Sequence, residues 1–171
     1  MSLLVRPSTT LHAAWLEAYE EWGDGLHEDG FGLCEAEEVG SPEAFSAFVN
    51  RLRAQEASAG DDGCTFRWIV QAGKVLGGIA LRHESTPDVD VIGHVGYGLR
   101  PSARGRGLAV AALQEMLAVA KARSMNRVLL ACFVDNIASV KTIERCGGVL
   151  DSIVATSQGE VGRYAIKLSQ P

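Results

Sequence analysis

The stretch from Val91 to Ala120 constrains the fold most, because a strand-like run leads into a helix-like run across a turn rich in glycine and arginine. Val91-Ile92-Gly93-His94-Val95-Gly96-Tyr97-Gly98-Leu99 is dense in β-branched and aromatic residues, and Pro101 stops it. From Ala109 onward Leu113, Met116, Leu117 and Ala120 follow the i, i+3, i+4, i+7 spacing of one helix face. The intervening Arg104-Gly105-Arg106-Gly107-Leu108-Ala109 therefore sits at a helix N-terminus. There the first backbone N–H groups lack intrahelical partners and the aligned peptide dipoles favour negative charge. Glycine lets an anion approach closely, and Arg104 and Arg106 add full charge, so the turn reads as a cradle for a pyrophosphate.

Two familiar phosphate motifs fail here. A dinucleotide GxGxxG would need a third glycine at position 110, which is Val. A P-loop from Gly93 reaches Gly98 and then needs Lys and Ser or Thr, whereas Leu99 and Arg100 follow. What remains, R-x-x-G-x-A after a strand, resembles the acyl-CoA signature of the GNAT N-acetyltransferase superfamily, Q/R-x-x-G-x-G/A. A bland alternative is a turn that merely starts a surface helix.

The downstream sequence favours the resemblance. Arg127 to Val134 reads as a buried strand, and Asp135-Asn136 supply acceptors suited to capping a helix over Ile137 to Cys146, which Gly147-Gly148 closes. Asn136-x-x-Ser139 and Glu144-Arg145-x-Gly147 are similar to the second half of the GNAT core, and they follow the first match at a distance suited to a βαβα unit. Val91 to Val149 carry the likeness, and other residues share only element order. Gly93 to Ser102, Asp135 to Ser139 and Arg163-Tyr164 look like a bacterial group of acetyltransferases.

The remaining elements suit that order. Leu3 to Pro7 is a short strand, and Ser8 to Glu21 is a helix with Leu11, Ala14, Trp15, Ala18 and Trp22 on one face. Gly23 to Gly40 is a glycine-punctuated connection. Ser41-Pro42-Glu43 opens a helix to about Ala57, with Ser as N-cap and Pro at the first helical position. Thr65 to Gln71 and Val75 to His83 form a hairpin across Ala72-Gly73-Lys74, and Val149 to Ser157 pairs with Gly162 to Leu168. At 171 residues the chain suits one layered α/β domain, 1–171. The expected sheet is mixed but mostly antiparallel, with 6–7 strands and about four flanking helices. Residues 1–60 are expected on the acceptor side and 91–149 as the acetyl-CoA-binding core.

Charge is uneven. Residues 7–50 hold ten acids and no Lys or Arg, whereas from residue 51 there are 15 basic and 11 acidic residues. An anionic cofactor suits the later part and a cationic amine the earlier one, unless the acids only coat two helices. A nucleic acid would be repelled by the N-terminal segment. No apolar run reaches the ~18 residues of a membrane span, and no secretory signal pattern opens the chain, so a cytoplasmic protein without membrane or nucleic-acid partners is expected. Cys34, Cys64, Cys132 and Cys146 form no CxxC pair, and His83-Glu84-Ser85-Thr86-Pro87 fails HExxH, so neither metal nor disulfide frame is expected. A monomer and a homodimer both stay open.

The resemblance implies direct attack of an acceptor amine, on a small molecule or peptide, upon acetyl-CoA through a tetrahedral intermediate. It assigns cofactor contacts to Leu99, Arg100, Arg104, Gly105, Arg106, Gly107, Leu108, Ala109, Asn136 and Ser139. Family strands four and five part at the cofactor, and backbone near Gly98 to Arg100 would face the thioester oxygen. No Gly-x-Ser-x-Gly elbow is present for an acyl-enzyme. An alkylammonium with a pKa of about 10 must lose its proton. The candidates are His94, Glu84 and His83, with Tyr97, Ser139, Cys146 or water as acid for the departing thiolate. Many family members carry Tyr at the position held here by Ile143. That departure leaves a non-catalytic acyl-CoA sensor as the alternative, with a nucleotide enzyme of another class behind it.

Overall fold

A computed structural model describes residues 2–23, 28–34, 37–60, 63–83 and 86–168. After β1 (Leu4–Val5) and a 3₁₀ turn come α1 (His12–Trp22), α2 (Glu28–Phe31), α3 (Pro42–Ala57), β2 (Cys64–Gln71) and β3 (Lys74–Arg82). There follow α4 (Pro87–Ile92), β4 (Val95–Leu99), a second 3₁₀ turn, α5 (Leu108–Ala122), β5 (Arg127–Phe133), α6 (Ile137–Arg145), β6 (Val149–Thr156) and β7 (Gly159–Lys167).

The strands form two antiparallel sheets, ordered β1-β2-β3-β4 and β5-β7-β6. Thus the layered α/β class and the strand number stand, whereas the single mixed sheet is divided. Two short helices, α2 and α4, exceed the expected four among the described residues. The sheets meet where the His94 N–H donates to Leu129 O at 2.7 Å and Gly93 bridges Leu130. No ladder joins β4 to β5 beyond that point among the described residues, so the two strands diverge.

Both faces of the first sheet are covered, which explains why β2 and β3 read as nearly continuous apolar runs. Ile79 and Leu81 pack with Leu113 and Met116 of α5 and Val128 and Leu130 of β5. Ala80, Phe66 and Trp68 turn to the other side, where Trp15, Phe31, Phe45 and Phe48 form an aromatic core. The Ala72-Gly73 turn has positive φ at both residues, 50° and 76°, which matches the twist of a two-residue hairpin.

Local signals act as the sequence implies at two helices. Ser41 Oγ accepts the Ala44 N–H of α3 at 3.1 Å, and Asn136 Oδ1 accepts the Ser139 N–H of α6 at 3.2 Å. At the far end of α6, Gly148 N–H reaches Ile143 O at 2.9 Å and Gly147 N–H reaches Glu144 O at 3.0 Å, a paired closure of the last carbonyls. The expected strand over Val91 to Leu99 is corrected to Val95–Leu99, because Val91 and Ile92 end α4. Thr86 Oγ1 caps α4 through the Val89 N–H, and Pro87 occupies its first turn. Gly93, at φ +84°, ends the helix, and a Cβ there would lie 2.8 Å from Leu130 Cα. A side chain at 93 would therefore push β4 away from β5.

Candidate active site

The start of α5 differs from the other capped helices. Its N-cap is Gly107, at φ +76° and without a side chain to accept a bond, so the N–H groups of Leu108, Ala109 and Val110 lack intrahelical acceptors. A Cβ at Gly105 or Gly107 would meet nothing within 4 Å. Glycine there serves a left-handed backbone and leaves the space before the helix open.

That space is a cleft of about 670 Å³ between the end of β4, the turn, the first turn of α5 and one face of α6. Arg104 lines it, with Nε donating to Leu99 O at 3.0 Å, and Gly105, Gly107, Leu108 and Ala109 follow. Opposite lie Ala138, Lys141, Thr142 and Arg145, the i, i+3, i+4, i+7 face of α6. Arg104, Lys141 and Arg145 are cationic, and no carboxylate lines the cleft among the described residues. Lys141 and Arg145 are absent from the sequence assignment; they follow Ala138 at i+3 and i+7, a spacing that sets them on one face of α6 but does not follow from Asn136 or Ser139.

A second cleft of about 350 Å³ opens where β4 and β5 diverge. Tyr97, Asn136 and Ser139 line both clefts. Tyr97 Oη and Ser139 Oγ share a hydrogen bond of 2.8 Å, and burial pushes the phenol up to about 12. Cys132 also lines this second cleft, with the pKa of its thiol raised by burial, and Ile143 closes the wall.

Several sequence assignments lie elsewhere. Arg106 turns away from the cleft to Gln71, its Nη2 donating to Oε1 at 2.8 Å. Arg100 is buried: its Nη2 meets Glu17 Oε1 at 2.9 Å, its Nε pairs with Glu21, and its backbone N–H donates to Leu76 O. It fastens β4 to α1 and does not face the cleft. His94 is 2% exposed and lines neither cleft; its Nδ1 accepts the Leu129 N–H at 3.0 Å, and burial lowers its pKa. The ring thus pins β5 to β4 with its Nδ1 as acceptor, away from both clefts. His83 is likewise engaged, Nε2 with Thr65 Oγ1 and Nδ1 as acceptor from Arg123, each at 2.8 Å, and lies outside both clefts. Cys146 donates toward Val110 O at 3.7 Å between α6 and α5. Glu84 lies outside the described residues.

Three acids of the N-terminal region are spent on arginines. Glu17 and Glu21 hold Arg100, and Glu37 holds Arg51 at 2.6 Å. Among described residues of 1–60, only Trp22 lines either cleft. No group of three or more His, Cys, Asp or Glu side chains suits a metal among the described residues, and no helix is long and apolar enough to cross a membrane.

A family model described as an acetyltransferase (GNAT) domain matches residues 4–149. No curated protein matches the chain. Among solved structures, the microcin self-immunity acetyltransferase MccE, in complex with acetyl-CoA and AMP, is similar at a TM-score of 0.70 and 15% identity, over 96% of this chain and 91% of that one. RimL, a ribosomal-protein α-N-acetyltransferase in complex with coenzyme A, superposes at 0.71 with 17% identity, over 96% and 93%. An acetyltransferase of Salmonella typhimurium that modifies the N-terminal serine of a 50S ribosomal subunit protein reaches 0.67 with 17% identity, over 97% and 94%. At these identities the likeness is one of fold.

Proposed function

The chain belongs to the GNAT acetyltransferase family, and from that premise we propose that it moves an acetyl group from acetyl-CoA directly onto an amine of a small molecule or peptide. The observation that carries the cofactor assignment is the uncapped start of α5, whose three unpartnered N–H groups open into a cleft lined by Arg104, Lys141 and Arg145 with no carboxylate among the described residues. Helix dipole, backbone donors and three cations suit a pyrophosphate and its neighbouring phosphate. Acetyl-CoA supplies the activated acyl group, as a thioester. On this reading the turn and α6 hold its phosphates, and 91–149 form the cofactor half of a single domain.

The acceptor enters by the second cleft, since Tyr97, Asn136 and Ser139 border both spaces. Tyr97 keeps its proton at neutral pH. A thiol titrating near 8.5 leaves a weaker base than a phenolate titrating near 12, so complete proton transfer from Tyr97 would cost about 5 kcal/mol. Tyr97 and Ser139, joined by their 2.8 Å bond, therefore leave one hydroxyl proton to donate toward the departing sulfur, and water completes its protonation. Neither cleft is lined by His, Asp or Glu among the described residues, and on this reading the acceptor amine arrives neutral or loses its proton to water.

Acetyl-CoA should raise the melting temperature by linkage, worth about 2.7 kcal/mol at a hundredfold excess over Kd. An unchanged melting curve in millimolar acetyl-CoA would overturn the cofactor assignment. Thiol release on adding polyamines, amino acids and peptides would then report the transfer itself. Tight acetyl-CoA binding without release for any amine would point to a sensor.

A further inference from the structure

The second cleft has a charge pattern opposite to that expected for a cationic acceptor. Arg82 at the end of β3 and Arg163 in β7 both line it, and both are half-buried. Among the described residues no Asp or Glu lines it and neither arginine joins an ion pair, while Arg82 Nη1 donates to Gly93 O at 3.4 Å. Two sheets supply these guanidinium groups at the level where β4 meets β5. Arg82 N–H donates to His94 O at 2.8 Å, and Arg163 pairs with Ala131. The rim is apolar: Val91, Ile92 and Phe133 are 57%, 47% and 39% exposed.

Building on the acetyl-transfer reading above, we propose that the acceptor is an amine that also carries a carboxylate and an apolar group, with Arg82 and Arg163 binding the carboxylate. Planar guanidinium groups match carboxylate oxygens in a two-point geometry, and their half-burial strengthens the pair over one in open water. The exposed apolar rim receives the hydrocarbon part of the same molecule. The two fixed positive charges serve the chemistry as well. They disfavour the ammonium form of the bound amine, which raises the neutral nucleophile without a lining histidine or carboxylate. When the amine nitrogen bonds to the acetyl carbon, the carbon–sulfur bond breaks, the sulfur leaves with the electron pair, and the surplus proton on nitrogen passes to water.

The carboxylate has two sources, the α-carboxylate of a free amino acid or an acidic side chain beside a peptide N-terminus. Leucine against leucinamide tests the first, and Ser-Asp against Ser-Asn peptides test the second, each followed by thiol release from acetyl-CoA. The amide amine is the weaker base and is more neutral at pH 8, so basicity alone favours leucinamide and a preference for leucine reports recognition. One pair should show kcat/KM about tenfold or more in favour of the carboxylate, as expected for a charge-assisted hydrogen bond. Arg163→Gln and Arg82→Gln should bring that ratio to within about twofold, chiefly through KM, and Arg163→Lys should keep part of it. Stabilisation by acetyl-CoA should persist in all three variants, which confirms folding and cofactor binding. A wild-type enzyme that binds acetyl-CoA but treats both members of each pair alike, or acetylates none, overturns the proposal and leaves the cofactor assignment intact. Survival of the discrimination in both glutamine variants also overturns it. Loss of acetyl-CoA binding by the wild type, in contrast, overturns the acetyl-transfer reading itself.

Discussion

Substitution at Gly107 separates three effects that the α5 cradle combines. At φ +76° any other residue accepts a left-handed backbone, costing roughly 1–2 kcal/mol, but a Cβ meets no neighbour within 4 Å. Gly107→Ala therefore measures strain alone, a fall of about 2–8 °C for a domain of this size. Gly107→Gln adds bulk in the cleft, and Gly107→Glu adds one negative charge to nearly the same bulk. In the free protein that charge sits at the positive end of α5 and should make Gly107→Glu more stable than Gly107→Gln by about 0.3–1 kcal/mol. With acetyl-CoA the sign reverses. A carboxylate about 5 Å from one phosphate charge, at an effective dielectric near 20, repels it by about 3 kcal/mol, more than a hundredfold in affinity. Melting curves with and without acetyl-CoA read both quantities. Wild type and Gly107→Ala should shift upward, Gly107→Gln less, and Gly107→Glu scarcely at all. Equal shifts for Gly107→Glu and Gly107→Gln would refute a phosphate at the start of α5.

Burial lowers the His94 pKa, so the folded state favours the neutral ring and stability should decline as pH falls below its ordinary 6.5 toward the folded value. Denaturation between pH 5 and 8 should show less of this slope in His94→Gln, while the pH profile of kcat stays unchanged. Arg100→Met removes the contacts to Glu17, Glu21 and Val75 O and should cost about 1–3 kcal/mol, with acetyl-CoA affinity preserved in the folded protein. Tyr97→Phe removes the hydroxyl that borders both clefts and should lower kcat about tenfold at unchanged acetyl-CoA affinity. An unchanged kcat would remove Tyr97 from the reaction.

Elements whose hydrogen bonds close within a few residues were legible in the sequence. Ser41 and Asn136 cap the helices they precede, and Ala72-Gly73 turns a hairpin. Val91-Ile92 was misread because a short apolar run does not reveal its period; Thr86 and Pro87, just upstream, carried the helix signal. The division into two sheets escaped for a different reason. It depends on where β4 leaves β5, and that is set by Gly93 against Leu130 and by the His94–Leu129 bonds, contacts across more than 30 residues of chain.

The same distinction orders the site residues. Gly105, Gly107 and the first turn of α5 line the cleft because a local turn fixes them, and Asn136 and Ser139 because a cap does. Arg100 lies in the same loop, but its partners are 79 and 83 residues away, and no local pattern announces them. Such pairing also removes three of the ten acids of residues 7–50 as attractors of a ligand. A charged segment acts on a ligand only through charges left unpaired near it, and Glu17, Glu21 and Glu37 are paired with arginines. Among the described residues the charges that line the second cleft are Arg82 and Arg163, and the proposed carboxylate-bearing acceptor rests on them even though the chain as a whole is acidic.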